Sequence, residues 1–265
     1  MIQGPRLLPR RWLSVLMVAA LLLAGCAGPG RSQVTLRVAA ASDLQYALGA
    51  VAEGFTADRS GVKVEVSYGS SGELYQQLTD GAEYEVFLAA DIAYAQRLVD
   101  DGEAPETDLF RYAQGRLALW AGDQSPVDPT RGMAALRDAE RVAIADPADS
   151  PYGRAAEAAL RNAGLYDELD GRLLLGDSVG QAADLVAEGE ADAGLIALAQ
   201  VAAGPRRDVG QWREVPARYY QLLDQGGVVP LAAAHPAVAR SFRDYLISPD
   251  GQQILQRYGF GPPAD

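Results

Sequence analysis

The chain has 265 residues, 49% of them hydrophobic and 22% charged. Those are the proportions of a soluble globular protein with room for one large domain or two modest lobes. Its formal net charge of −12 argues against nucleic acid as a partner, because phosphate neutralisation dominates such binding. The single cysteine, Cys26, excludes a disulfide within the chain.

Arg6, Arg10 and Arg11 precede an apolar run, Trp12–Leu23, that ends in Leu23-Ala24-Gly25-Cys26. A basic head, an apolar stretch too short to span a bilayer and small residues at its end describe an export signal. Leu-Ala-Gly-Cys resembles the bacterial lipobox, in which the cysteine is acylated and becomes the new N-terminus. That implies a lipoprotein signal peptide over residues 1–26, lipidation at Cys26, and a mature part outside the cytoplasmic membrane, held to it only by acyl chains. Pro9 and Trp12 around Arg10-Arg11 fit a twin-arginine signal poorly. The signal holds three arginines and no acid, so the mature part has 20 basic and 35 acidic residues, a net −15. An anion bound here must be held by local groups, against the long-range field.

After a Gly/Pro/Ser linker over residues 27–33 the pattern becomes regular. Val34–Ala39 reads as a buried strand and Leu44–Phe55 as a helix with apolar spacing of three and four. Val62–Tyr68 and Glu85–Ala89 read as strands, followed by helices over Glu73–Leu78 and Ala93–Val99. The strand Gly115–Gly122 leads out of this first block. A second alternating run follows, with strands at Val142–Ala145, Leu173–Leu175 and Ala193–Leu198 and helices at Pro151–Ala163 and Val179–Ala187. Gln225–His235 brings the chain back, and helices over Pro236–Leu246 and Gly251–Tyr258 close it. Such alternation implies mostly parallel sheets flanked by helices. The expected arrangement is lobe I from residues 34–116 and 221–265 and lobe II from residues 117–220, joined by crossing strands. A ligand would lie between them, outside the carboxyl ends of the strands.

Four strand-to-helix junctions share one character: Ala41-Ser42-Asp43-Leu44, Gly69-Ser70-Ser71-Gly72, Asp149-Ser150-Pro151-Tyr152-Gly153 and Asp177-Ser178-Val179-Gly180. Each offers an N-cap oxygen, and Pro151 suits the first helical position. Each also offers free backbone N–H groups at the positive end of a helix dipole, a combination that binds oxyanions without a cationic side chain. Any one of them is explained by ordinary helix capping. Two from each lobe, all at the ends of strands, could surround a tetrahedral anion.

The sequence resembles the molybdate-binding proteins of bacterial ABC importers. The resemblance lies in "VAAASDLQYAL" (Val38–Leu48), "VSYGSSGELYQQL" (Val66–Leu78), "VFLAADIAYAQRLVDDG" (Val86–Gly102), "ADPADSPYGRAAEAAL" (Ala145–Leu160) and "YLISPDGQQILQRYGF" (Tyr245–Phe260), in the family's order. It implies an α/β type II periplasmic binding protein fold, with two lobes closing on molybdate or tungstate. It also implies no enzymatic activity, no cofactor, an ABC permease with its cytoplasmic ATPase as partner, and a monomer. Carried over, Ser42 and Ser71 each give a hydroxyl and a backbone N–H, with Ser70 as a substitute for Ser71. Tyr152 and Val179 act through their backbone N–H groups. Many relatives place a ligand-binding tyrosine where this chain has Ala197. Either the Tyr152 hydroxyl replaces that donor, or Tyr152 is an aromatic of the cleft wall. Asp43 is expected to face away from the anion and to favour the helix start. Facing the pocket, it would accept a proton from a protonated oxyanion and favour phosphate.

Two other readings stand beside this one. A receptor for phosphate, sulfate or a related oxyanion would use the same helix starts. A hydrolase using Ser70 or Ser71 lacks the Gly-x-Ser-x-Gly elbow, since Glu73 stands where its last glycine belongs. The one histidine, His235, begins a helix and reads as a surface or packing residue. One histidine and one lipidated cysteine give no basis for a structural metal. Trp120 and Trp212 read as core or cleft wall.

Overall fold

The computed structural model of the chain describes Met1 and residues 33–264. The expected export signal, with Cys26, and nearly all of the linker lie outside these residues. Among the described residues no helix is long and apolar enough to cross a membrane.

Val34–Ala41 (β1) is a strand whose last four residues are buried, the mark of a central position. Val62–Gly69 (β2) alternates apolar residues with Lys63, Glu65 and Ser67, and lies at the sheet edge. Between them a short 3-10 turn, Ser42–Leu44, leads into Gln45–Thr56 (α1). Ser71–Thr79 (α2), Val86–Ala89 (β3) and Ile92–Asp100 (α3) follow. Leu109–Gly115 (β4) and Leu117–Ala121 (β5) form two strands where the sequence suggests one.

The second run comprises Val142–Ala145 (β6), Pro151–Asn162 (α4), Tyr166–Leu169 (α5), Leu173–Gly176 (β7), Val179–Ala187 (α6), Ala193–Ala197 (β8) and Gln211–Glu214 (β9). Leu223–Val228 (β10), Pro236–Ile247 (α7) and Pro249–Arg257 (α8) complete the fold.

Two mixed five-stranded sheets result, in the orders β2-β1-β3-β10-β4 and β7-β6-β8-β5-β9. In the first, β2, β1 and β3 run parallel and β10 antiparallel; in the second, β7, β6 and β8 run parallel and β5 antiparallel. The first sheet has apolar cores on both faces, one under α1, α7 and α8, the other under α2 and α3. The second sheet has its own core, which includes Trp120, Ile144, Leu160 and Ile196. This is the two-lobed α/β periplasmic binding protein fold.

The chain passes between sheets from β4 to β5 and returns between β9 and β10. The two passages are tied together, since the Leu117 N–H donates to the Tyr220 hydroxyl at 2.8 Å. The strand β9 has all four residues exposed and escapes any alternation rule. It carries Trp212, which is 39% exposed on this edge and so belongs to neither core nor cleft wall. Trp120 is fully buried and donates its indole N–H to the Val209 carbonyl at 2.9 Å.

Candidate functional site

Strand register brings the helix starts of the first lobe together. Ala41 at the end of β1 pairs with Gly69 at the end of β2, so Ser42 and Ser70 leave neighbouring strands, about 4.8 Å apart in the sheet. Just past β3, the Ala90 N–H donates to Ser71 Oγ at 2.9 Å. In the second lobe Ala145 pairs with Gly176, and the Asp146 N–H donates to the Gly176 carbonyl at 2.8 Å. That places the starts of α4 and α6 side by side.

Two hydrogen bonds join the pairs across the lobes. The Gly72 N–H donates to the Asp149 carbonyl at 2.9 Å, and the Gly180 N–H donates to Ser42 Oγ at 3.0 Å. Both approaches are close: a Cβ at Gly72 would stand 2.8 Å from the Asp149 carbonyl oxygen, and one at Gly180 would stand 3.1 Å from Ser42 Cβ. All four helix starts singled out in the sequence therefore converge.

The serines there divide into two kinds. Ser70, Ser150 and Ser178 are N-caps whose Oγ atoms accept the N–H groups of Glu73, Gly153 and Gln181. Ser70 thus caps its own helix. Ser42 and Ser71 each accept one N–H from elsewhere in the fold, which fixes the oxygen and leaves the hydroxyl proton to be donated. Among the described residues, the N–H groups of Ser71, Tyr152 and Val179 meet no acceptor. All three belong to residues at most 3% exposed. Buried N–H groups are rarely left orphaned, so three at converging helix starts mark a site for a shared acceptor.

Asp43 is fully buried, and its Oδ2 accepts the Gln225 amide at 2.6 Å. The same amide lies 3.3 Å from the Tyr152 hydroxyl, so Gln225 joins Tyr152 to Asp43. Burial pushes the Asp43 carboxyl up to about 7, against the bonds from Gln225 and Tyr152 that favour its charged form. Burial and the nearby Asp43 charge also hold the Tyr152 phenol well above its ordinary range. The Tyr152 hydroxyl therefore serves a buried link between α4, β10 and the Ser42–Leu44 turn. Asp43 Oδ1 and Gln225 Oε1 are buried without partners.

Gln225 and Gln200 are residues that sequence reasoning missed. Gln200 is fully buried and donates to the Ser42 carbonyl at 2.7 Å. Their only signal in the sequence is a polar residue inside an apolar run, which does not name its partner. His235 opens α7, where its backbone N–H and Nδ1 meet Glu85 Oε1 at 2.7 and 2.9 Å. No histidine adjoins Ser70 or Ser71 to activate a nucleophile.

A family model described as bacterial extracellular solute-binding protein matches residues 36–261. The chain belongs to that family. Molybdate-binding protein ModA of Rhodobacter capsulatus is 36% identical to it over 203 residues, which are 77% of this chain and 79% of that protein. Molybdate-binding protein ModA of Azotobacter vinelandii is 32% identical over 249 residues, 94% of this chain and 98% of that protein. The solved periplasmic molybdate-binding protein of Azotobacter vinelandii superimposes with a TM-score of 0.81 at 33% identity, covering 86% of this chain and all of that one. The resemblance drawn from the sequence thus holds over most of the chain.

Proposed function

We propose that this protein captures molybdate or tungstate outside the cytoplasmic membrane and hands it to an ABC importer. The observation that carries this reading is the set of buried N–H groups on Ser71, Tyr152 and Val179, flanked by the hydroxyls of Ser42 and Ser71. Five donors at the positive ends of helices suit a tetrahedral dianion. Each bond is worth about 1.5–3 kcal/mol when measured by its loss, which supports micromolar or tighter binding after association costs. The names of the relatives support molybdate in particular. Discrimination against sulfate would come from cavity size, since metal–oxygen bonds are longer than sulfur–oxygen bonds. Closure follows from an anion that bonds both lobes at once, and so prefers the closed form.

The lobes of this reading divide at residues 116/117 and 220/221. Cys26 carries the acyl anchor, the protein works as a monomer, and the permease with its ATPase receives the anion. Competition among molybdate, tungstate, sulfate and phosphate for the purified domain, followed by titration calorimetry, tests the reading. Molybdate and tungstate should displace the other two. The phosphate alternative has one observation behind it, the unpartnered Asp43 Oδ1, which would accept the proton of hydrogen phosphate. Preference for phosphate in that competition would overturn the molybdate reading.

A further inference from the structure

A chain of hydrogen bonds leads from an arginine to the back of the candidate site. Arg206 donates through Nη1 to Gln200 Oε1 at 2.6 Å. Gln200 in turn donates through Nε2 to the Ser42 carbonyl at 2.7 Å, and is itself fully buried. That carbonyl belongs to the Ser42–Asp43 peptide, beside the Ser42 hydroxyl that faces the Gly180 N–H. Arg206 is held in place by Tyr46, whose ring its guanidinium overlies at 5.8 Å, and by Asp184 on α6, with which it forms an ion pair. The arginine side chain is only 12% exposed, whereas that of Asp184 is 54% exposed. Water therefore screens the aspartate more than it screens the guanidinium.

We propose that Gln200 and Arg206 are positioning residues that carry a positive potential to the bound dianion through the Ser42 peptide, with no arginine touching the anion. The proposal rests on the reading of the site as an oxyanion receptor. Hydrogen bonds in series polarise one another, and more strongly where water is excluded. A guanidinium on Gln200 Oε1 makes the Gln200 amide a stronger donor, and that amide draws electron density from the Ser42 carbonyl. The Ser42 carbonyl then carries less negative charge behind the Ser42 hydroxyl that faces the anion. In a mature chain of net charge −15, such a relay supplies favourable potential at the anion while leaving its oxygens to neutral donors that can grade size.

The test uses two tetrahedral anions of nearly the same size and different charge, molybdate (−2) and perrhenate (−1), titrated calorimetrically at about 0.15 M salt, where distant surface charges are screened. A potential acts in proportion to charge, so a tenfold loss for the dianion corresponds to about a threefold loss for the monoanion. Arg206→Met is expected to weaken molybdate about tenfold and perrhenate about threefold, and Arg206→Lys to restore most of the difference. Gln200→Met, which changes no charge, should show the same unequal loss. The double variant should bind no worse than the more damaged single one, because the two residues act in series. Should Gln200→Met fail to fold by thermal melting, Gln200→Leu takes its place, because the Arg206 pair alone would report equally a charge acting directly through space. Equal losses for both anions, additive losses, or no loss would each overturn the relay. A wild type that ignores both molybdate and tungstate would instead overturn the binding reading, and the relay with it.

Discussion

Gly72→Ala separates the stability of a lobe from its closure on the other. Gly72 is not among the glycines with positive φ, so alanine fits its backbone. Alanine should also stabilise α2 by up to about 1 kcal/mol, through helix propensity. The added Cβ, however, would stand 2.8 Å from the Asp149 carbonyl oxygen and 3.0 Å from Asp149 Cα. Those are backbone atoms of the other lobe, held by the bond that the Ser150 N–H gives to the Asp146 carbonyl at 2.9 Å. Relieving the contact requires the lobes to stay a few tenths of an ångström apart, which stretches the 2.9 Å bond from the Gly72 N–H to Asp149. Overpacking of this kind costs about 1–3 kcal/mol, equivalent to roughly 5- to 150-fold in affinity. The two effects have opposite signs. Thermal melting without ligand should show an unchanged or higher midpoint, while titration calorimetry should show weaker molybdate binding. Unchanged affinity would refute the inference that the lobes must meet at Gly72 to hold the anion.

Ser71→Ala removes a hydroxyl donor and strands the Ala90 N–H. Molybdate affinity should fall about tenfold or more, with about 1–3 kcal/mol lost from stability in denaturant melts; unchanged affinity by calorimetry removes Ser71 from the site. Tyr152→Phe keeps the backbone N–H offered to the anion but cuts the link to Gln225. Calorimetry should show the ranking of molybdate over sulfate preserved, and loss of that ranking would return the hydroxyl to the anion. Asp43 holds its proton more tightly in the folded chain than in the unfolded one, with a pKa of about 7 against the ordinary 3.8. Its favourable contribution is therefore complete below the unfolded value and lost as pH rises through about 7, up to about 4 kcal/mol in all. Asp43→Asn should gain on the wild type in denaturant melts between pH 4 and pH 8, and a constant difference contradicts the assignment. Cys26→Ser should move the protein from the membrane fraction to the soluble one and abolish labelling by a fatty-acid analogue; retention in the membrane would exclude the acyl anchor.

The sequence carried most of the helices and inner strands because their signals are local. Val142–Ala145 and Val179–Ala187 have the bounds read from the sequence, one a short apolar run and the other opened by a serine cap. The sequence missed β9, which among the described residues pairs with β5 alone and exposes all its residues. It also missed β4, whose residues Leu109–Gly115 mix Arg111 and Gln114 into an apolar run and pair with β10 across a register shift. The helix starts of the candidate site were legible because small residues, caps and strand ends coincide there. The second layer was not. Asp43, Gln200 and Gln225 are buried polar residues, and the bonds from Gln200 to Ser42 and from Gln225 to Asp43 span 158 and 182 positions of the chain, a pairing no local pattern encodes. Tyr152 shows the same limit: its position was readable, but the target of its hydroxyl depends on a strand that returns 73 positions later.

A crystal structure of the tungstate-bound protein, with the metal located by its anomalous scattering, tests the central claim most directly. The anion should lie between the lobes, its oxygens about 2.6–3.1 Å from Ser42 Oγ, Ser71 Oγ and the backbone nitrogens of Ser71, Tyr152 and Val179, with no guanidinium in contact. A tungsten peak away from those donors, or an arginine bonded to the anion, would contradict the claim that neutral groups at facing helix starts hold it.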